Sequence, residues 1–161
     1  MIGVLDYKYC NSKSVFETLN VITDNLCYVN NPKEIKNIDK LIIPGVGSAK
    51  TSLDYLNKNG FTEEIIKFTE KGKYILGICL GMQILFKKLS ENGQSEGLGF
   101  FDSNVEPINE ITKIKTNIGW RKIQIKNDSL GITNSSFYYF CHSYFVKIKS
   151  TEEKYVLANI K

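Results

Sequence analysis

The sequence predicts one α/β domain, a central and mostly parallel sheet flanked by helices, with antiparallel strands added to it. Two observations carry this. Through the first half, short apolar runs alternate with helix-period segments, the pattern of a parallel sheet covered by helices. From Gly97 onward, short strand-like pieces alternate with turns, which favours antiparallel strands added to an edge of that sheet. The 161 residues fit a single domain, 1–161, and leave no room for a second.

The elements follow in order. Ile2 to Asp6 is a short apolar strand. Val15, Phe16 and Leu19 stand at helical spacing, so Ser12 to Leu19 reads as a helix with Asn11 or Ser12 as its cap. Cys27 to Val29 is a second strand, and Pro32 to Asn37 a short helical turn. Lys40-Leu41-Ile42-Ile43-Pro44 is an unbroken apolar run closed by Pro and Gly, as a central parallel strand requires. Ser52 to Asn57 and Thr62 to Lys71 carry helical periodicity. Tyr74 to Ile78 is another apolar strand, and Met82 to Leu89 reads as the helix after it. The strand-like pieces of the second half include Val105-Glu106-Pro107, Trp120 to Ile125, the aromatic-rich Phe137 to Val146, and Tyr155 to Ile160. Lys154 to Lys161 reads as a strand with no element after it. That predicts an uncovered apolar sheet face, and aggregation of the 161 residues expressed alone.

Composition excludes several classes. A hydrophobic fraction of 42% supports a real core. The net charge of +4 comes from scattered lysines, not a basic run interleaved with aromatics, so it describes a solvated surface and no nucleic-acid footprint. No stretch of about 18 apolar residues offers a membrane span, and the first residues read as a strand, not a signal peptide. Four cysteines without CxxC spacing and a single histidine, His142, point to neither a zinc site nor a disulfide framework. No metal or cofactor is expected, and reduced thiols suit a cytoplasmic protein.

The most informative segment is Tyr74-Ile75-Leu76-Gly77-Ile78-Cys79-Leu80-Gly81-Met82-Gln83. An apolar strand runs into Gly-Ile-Cys-Leu-Gly, and a helix starts at once. These are the mechanics of a nucleophile elbow with cysteine in place of serine. Glycines two residues either side of Cys79 let strand and helix close a sharp turn around a strained residue. Cys79 then projects at a helix N-terminus, where free N–H groups and the dipole favour thiolate. The Leu80 N–H points into the same space and can stabilise an oxyanion. Taken alone, Cys79 could equally be a small buried core residue, since free cysteines are often buried.

A second loop bears on that choice. Pro44-Gly45-Val46-Gly47-Ser48 follows the central strand, and strand ends on one edge of a parallel sheet converge where ligands bind. Its glycines bring backbone amides close, so Val46 and Gly47 can complete an oxyanion hole with Leu80. The same loop could be a plain turn or a phosphate cradle, although it lacks the lysine and spacing of a P-loop.

Taken together these segments resemble the class I glutamine amidotransferases, whose fold is flavodoxin-like. Pro44-Gly45-Val46-Gly47, Gly77 to Gln83, and Phe137 to Tyr144 occur in the order seen in the glutaminase subunit of imidazole glycerol phosphate synthase. Asp6-Tyr7 with Asn11, Ser14 and Val15 resembles that family's opening, and Asn117-Ile118-Gly119-Trp120 its Gly-Trp segment. The resemblance implies hydrolysis of L-glutamine to glutamate and ammonia through a thioester on Cys79. It implies that Gln83 helps bind glutamine, and that Ser143 and Tyr144 hold its amino-acid end. It also implies a heterodimer in which ammonia passes to a (β/α)₈ cyclase or synthase subunit of histidine biosynthesis. The segment of Asn117 and Trp120 would face that partner; otherwise Trp120 is a buried anchor.

The pattern is incomplete in one respect. Thiol attack on an amide needs a base, which the family supplies from a His-x-Glu segment, and the 161 residues contain none. His142, followed by Ser143-Tyr144, matches the substrate-side segment instead. Either the sequence is truncated and the full-length protein is an ordinary glutaminase, or the protein is a non-catalytic docking or regulatory subunit. In both cases the 161 residues themselves are expected to be inactive. Lys8 and Cys10 stand where family members tend to carry glycines, which leaves open a paralogous glutaminase serving amidation of a surface nucleotide-sugar.

Overall fold

The structure, a computed structural model, describes residues 1–127 and 137–160. Four parallel strands, β1 (Ile2–Leu5), β2 (Leu26–Val29), β3 (Lys40–Ile43) and β4 (Tyr74–Gly77), pair in the order β2-β1-β3-β4. The register sets Gly3 beside Leu41, and Leu41 beside Ile75. Side chains alternate across a strand, so Leu5, Val29, Leu41 and Ile43 share one face. The 3₁₀ turn η1 (Pro32–Asn37) and the helices α2 (Ala49–Lys58) and α3 (Phe61–Glu70) bury that face with Ile35, Leu53, Leu56, Phe61, Ile65 and Phe68. These apolar positions recur at helical spacing, which is why each helix buries one stripe.

The opposite face is covered only in part. Helix α1 (Ser12–Asn20) lies over β1 and β2, where Phe16 stacks on Tyr28 with ring centroids 4.1 Å apart. Asn11 sits at the cap position without a side-chain bond, and Ser12 Oγ donates instead to Asp6 Oδ1 at 2.5 Å. Toward β4, Tyr74, Leu76 and Ile78 stay exposed, Leu76 at 57%. These side chains leave an apolar stripe open on that face.

The segment Met82 to Leu89 is not the helix its sequence predicts. Helix α4 (Leu80–Gln83) lasts one turn, and Phe86–Leu89 is a strand, β5. A helix running on to Leu89 needs the carbonyls of Ile84 and Leu85 for the N–H groups of Lys88 and Leu89. Here Leu98 N–H donates to Ile84 O (2.8 Å), Phe100 to Leu85 O (2.9 Å) and Gly97 to Lys87 O (3.0 Å). Gly97 allows this approach, because an added Cβ would collide with Phe86 O. A distant segment thus claims the acceptors a helix would use.

The second half supplies the added antiparallel strands, which build sheets of their own and do not lengthen the parallel one. Strands β6 (Ser95–Glu96), β7 (Phe101–Pro107) and β11 (Tyr144–Lys147) join β5 in the order β11-β7-β5-β6, with β5 and β7 parallel. Strands β8 (Asn117–Lys122) and β10 (Phe137–His142) form a ribbon, and β9 (Gln124–Ile125) pairs β12 (Ala158–Asn159). A short turn, η2 (Ile108–Glu110), follows β7. The last expected strand is also shorter. Lys154 and Tyr155 end a 3₁₀ turn, η3 (Ser150–Tyr155), because the Glu152 carboxylate binds the N–H groups of Asp102 (2.8 Å) and Ser103 (2.9 Å) and docks the turn on β7. Lys161 lies outside the described residues. Among those described, no helix is long and apolar enough to cross a membrane.

Candidate active site

The chain leaves β4 at Gly77, Ile78 N–H donates to Ile43 O at 3.0 Å, and Cys79 turns the backbone at φ 54° and ψ −113°. Among the described residues only Cys79 and Asn92 hold positive φ without being glycine. Such a conformation costs on the order of 1–3 kcal/mol and persists only when its surroundings enforce it. Three glycines do so here. A methyl group on Gly77 would lie 2.5 Å from Gly81 O and from Met82 Cα, and one on Gly45 would lie 2.6 Å from Gly81 N. One on Gly81 would overlap Ile43 O. Strand β3, strand β4 and helix α4 thus meet backbone to backbone, and Cys79 is exposed at their junction. That settles the choice between a buried core cysteine and a presented one.

Leu80 is the first residue of α4, so its N–H has no acceptor within the helix. Helix α4 is only one turn long, so it offers Cys79 the N–H groups of a single turn and not the dipole of a long helix. The Pro44–Ser48 loop runs alongside. Gly45 is buried against Leu80 and Gly81, while Val46 and Gly47 are exposed and Gly47 holds φ 81°. The N–H groups of Val46, Gly47 and Leu80 have no acceptor among the described residues, so all three remain available. Gln83, on the same turn as Leu80, is 8% exposed and its side chain makes no hydrogen bond among the described residues.

Two further contacts support the loop, and neither was legible in the sequence. Tyr7 Oη donates to Pro44 O at 3.2 Å, and Glu91 Oε2 accepts from Ala49 N–H at 2.5 Å, at the start of α2, where Ser48 makes no side-chain cap. The partners are 37 and 42 residues apart, and no local pattern announces either pair.

His142 sits elsewhere. Its Nδ1 lies 2.7 Å from Tyr144 O, which can only accept, so Nδ1 carries the proton. Asn117 Nδ2 then donates to Nε2 at 3.1 Å. Both ring nitrogens are engaged, and Asn117 is buried beneath the ribbon. Ser143 O accepts from Ile108 N–H at 2.9 Å, and Tyr144 pairs with Pro107. No hydrogen bond or ring contact among the described residues links Ser143 or Tyr144 to Cys79 or Gln83. The structure therefore gathers Cys79, Leu80, Gln83 and the Gly-Val-Gly loop at one strand-to-helix junction, while His142 ends β10 and Tyr144 opens β11, packed against the core cluster to which Leu80 belongs.

Trp120 is no buried anchor. The β8–β10 register sets Trp120 opposite Tyr139, Ile118 opposite Cys141 and Lys122 opposite Phe137, so these share one face. Ile118, Trp120, Phe137 and Tyr139 are all exposed there, Trp120 at 66%. The Trp120 and Tyr139 rings meet edge to face at 5.6 Å. The Arg121 guanidinium donates to Trp120 O (3.1 Å) and Ile118 O (3.2 Å) across Gly119, which holds φ 125°. Among the described residues, no group of His, Cys, Asp and Glu is arranged to hold a metal ion.

Comparison with known proteins agrees with this geometry. The profile of the CobB/CobQ-like glutamine amidotransferase domain matches residues 2–132. The imidazole glycerol phosphate synthase subunit HisH of Caldanaerobacter subterraneus subsp. tengcongensis is 41% identical over 160 residues, 98% of this chain and 78% of the relative. The chloroplastic imidazole glycerol phosphate synthase hisHF of Arabidopsis thaliana is 36% identical over 157 residues, 96% of this chain and 26% of the relative. A crystal structure of a glutamine amidotransferase superposes with a TM-score of 0.76 at 21% identity, covering 98% of this chain and 79% of that one; it shares the fold.

Proposed function

Because the chain belongs to the glutamine amidotransferases and is HisH-like, we propose that it is a glutaminase subunit supplying ammonia to an imidazole glycerol phosphate synthase in histidine biosynthesis. The observation that carries the reading is Cys79, held at positive φ on a strand-to-helix turn by interlocking glycines. Its thiolate attacks the side-chain amide carbon of L-glutamine, forming a C–S bond and an oxyanion. The N–H of Leu80 and the amide of Val46 and Gly47 stabilise that oxyanion. Collapse breaks the C–N bond, and the nitrogen takes a proton and leaves as ammonia. Water then attacks the thioester through a second oxyanion, releasing glutamate and the thiol.

Gln83, on the turn that follows Cys79 and with its side-chain amide free of hydrogen bonds among the described residues, supports a role in binding glutamine. Ser143 and Tyr144 hold the amino-acid end of the substrate. Proton transfer needs a base, and the engaged nitrogens of His142 support keeping it out of that role. The 161 residues contain no His-x-Glu segment, and without the base their own turnover falls by several orders of magnitude. This thioester chemistry uses no cofactor, and its thiol suits a reducing cytoplasm.

The partner is a synthase subunit of (β/α)₈ fold in a heterodimer. The exposed apolar face of the β8–β10 ribbon supports a docking role for Trp120, and Asn117 serves that face from inside by holding His142. The Arabidopsis relative, of which this chain matches only 26%, supports a synthase that works beside a glutaminase segment.

The test is covalent labelling of Cys79 by a glutamine-derived chloroketone. Stoichiometric labelling, competed by free L-glutamine and lost in Cys79→Ser, is expected. Labelling that glutamine does not slow refutes the reading.

A further inference from the structure

Tyr7 holds the loop beside the nucleophile from beneath. It lies just past β1, is 4% exposed, and donates through its hydroxyl to Pro44 O at 3.2 Å. Its ring packs on Tyr55 of α2 with centroids 6.1 Å apart, and Tyr9 meets Tyr55 edge-on at 6.0 Å. Tyr7 therefore touches both flanks of the loop, the carbonyl where β3 ends and the helix that follows. Burial pushes its phenol up to about 12, so it remains a donor throughout the neutral range. The backbone of Tyr7 is pinned in turn by Cys10, whose sulfur accepts from Tyr7 N–H (3.3 Å) and donates to Tyr7 O (3.0 Å).

A peptide unit is planar, so anchoring the Pro44 carbonyl also fixes the direction of the Gly45 N–H. The next atom along, Gly45 Cα, is clamped against the Leu80–Gly81 peptide. Fixing both narrows the conformations open to Val46 and Gly47. We propose that the Tyr7 hydroxyl is a positioning residue for the oxyanion loop, setting the Pro44–Gly45 peptide and through it the Val46–Gly47 amide. This rests on the glutaminase reading above. It gives Cys10 a physical role as well, since its sulfur pins the backbone of Tyr7.

Tyr7→Phe tests it, because the ring and its packing on Tyr55 are kept and only the hydroxyl goes. Labelling of Cys79 is followed with two reagents. A glutamine-derived chloroketone reacts through a tetrahedral oxyanion; iodoacetamide does not. The expected result is a chloroketone rate lowered by roughly 10-fold, less than the loss of an oxyanion donor itself. Its half-saturating concentration and the iodoacetamide rate should not move. Equal chloroketone rates in Tyr7→Phe and wild type overturn the role, while glutamine-protected labelling of wild type leaves the glutaminase reading standing. Slowing of both reagents alike reduces Tyr7 to a structural anchor and also overturns it. Wild-type labelling that glutamine does not protect removes the glutaminase reading, and this inference with it.

Discussion

Gly77→Ala isolates the backbone contact that presents Cys79. Gly77 does not hold positive φ, so alanine can adopt its backbone conformation and only steric contact opposes it. The added methyl group would lie 2.5 Å from Gly81 O, 2.5 Å from Met82 Cα and 2.6 Å from Met82 N. All three are backbone atoms and no rotamer can relieve them. Ordinary contact begins at 3.4 Å, so helix α4 must retreat from β4 by about 0.9 Å. Overpacking of this kind costs about 1–3 kcal/mol, or roughly 2–12 °C in Tm for a domain of this size. The retreat also carries Cys79 and the Leu80 N–H away from the Val46–Gly47 loop. A misplacement near 1 Å can lower a rate by about 10²-fold. The assay pairs thermal unfolding with chloroketone labelling of Cys79, and Gly72→Ala is the control. Gly72 holds φ 73° with no atom within 4 Å of an added Cβ, so it should lose stability by about 1–2 kcal/mol and keep its labelling rate. If Gly77→Ala labels within about threefold of wild type and melts within about 1 °C of it, less than the shift expected from about 1 kcal/mol, interlocking backbones do not hold Cys79.

Three other outcomes are expected. Trp120 is the single tryptophan and is exposed, so binding of the synthase partner should shift its fluorescence to the blue; saturable binding without a shift removes the ribbon from the interface. The Lys149 and Lys87 ammonium groups hold the Asp102 carboxyl down at about 2, from an ordinary 3.8. A depressed carboxyl contributes stability above its unfolded value and loses it as pH falls through the folded one. Asp102→Asn should therefore melt below wild type at pH 6, with the gap closing between pH 3.8 and about 2, and a gap independent of pH would sink the assignment. Tyr74 and Leu76 lie exposed on edge strand β4 and Ile78 just past it, which should make the 161 residues associate at high concentration, and Leu76→Lys should reduce that scattering. A monodisperse wild-type chain counts against it.

The sequence by itself determined the parallel αβ half and the sharp turn at Cys79. Both are written in short-range signals: the apolar run Leu41 to Ile43, the helix-period stripe of Leu53 and Leu56, and glycines placed two residues either side of Cys79. Such signals act between neighbours in the chain, where steric and period rules hold without help from the rest of the fold. Tertiary structure alone decided what depends on a remote partner. Met82 to Leu89 has helix-like spacing at Phe86 and Leu89, yet the Gly97–Phe100 segment takes the carbonyls a helix would need. Trp120 could have been a core anchor until the ribbon register set it outward beside Tyr139. The sequence assigned His142 to a substrate-side segment without naming its partners; Asn117, 25 residues away, occupies one nitrogen while Tyr144 O takes the other. Tyr7 meets Pro44 across 37 residues. A hydrogen bond between distant residues leaves no period in the sequence, so each of these was decided only when the chain closed on itself.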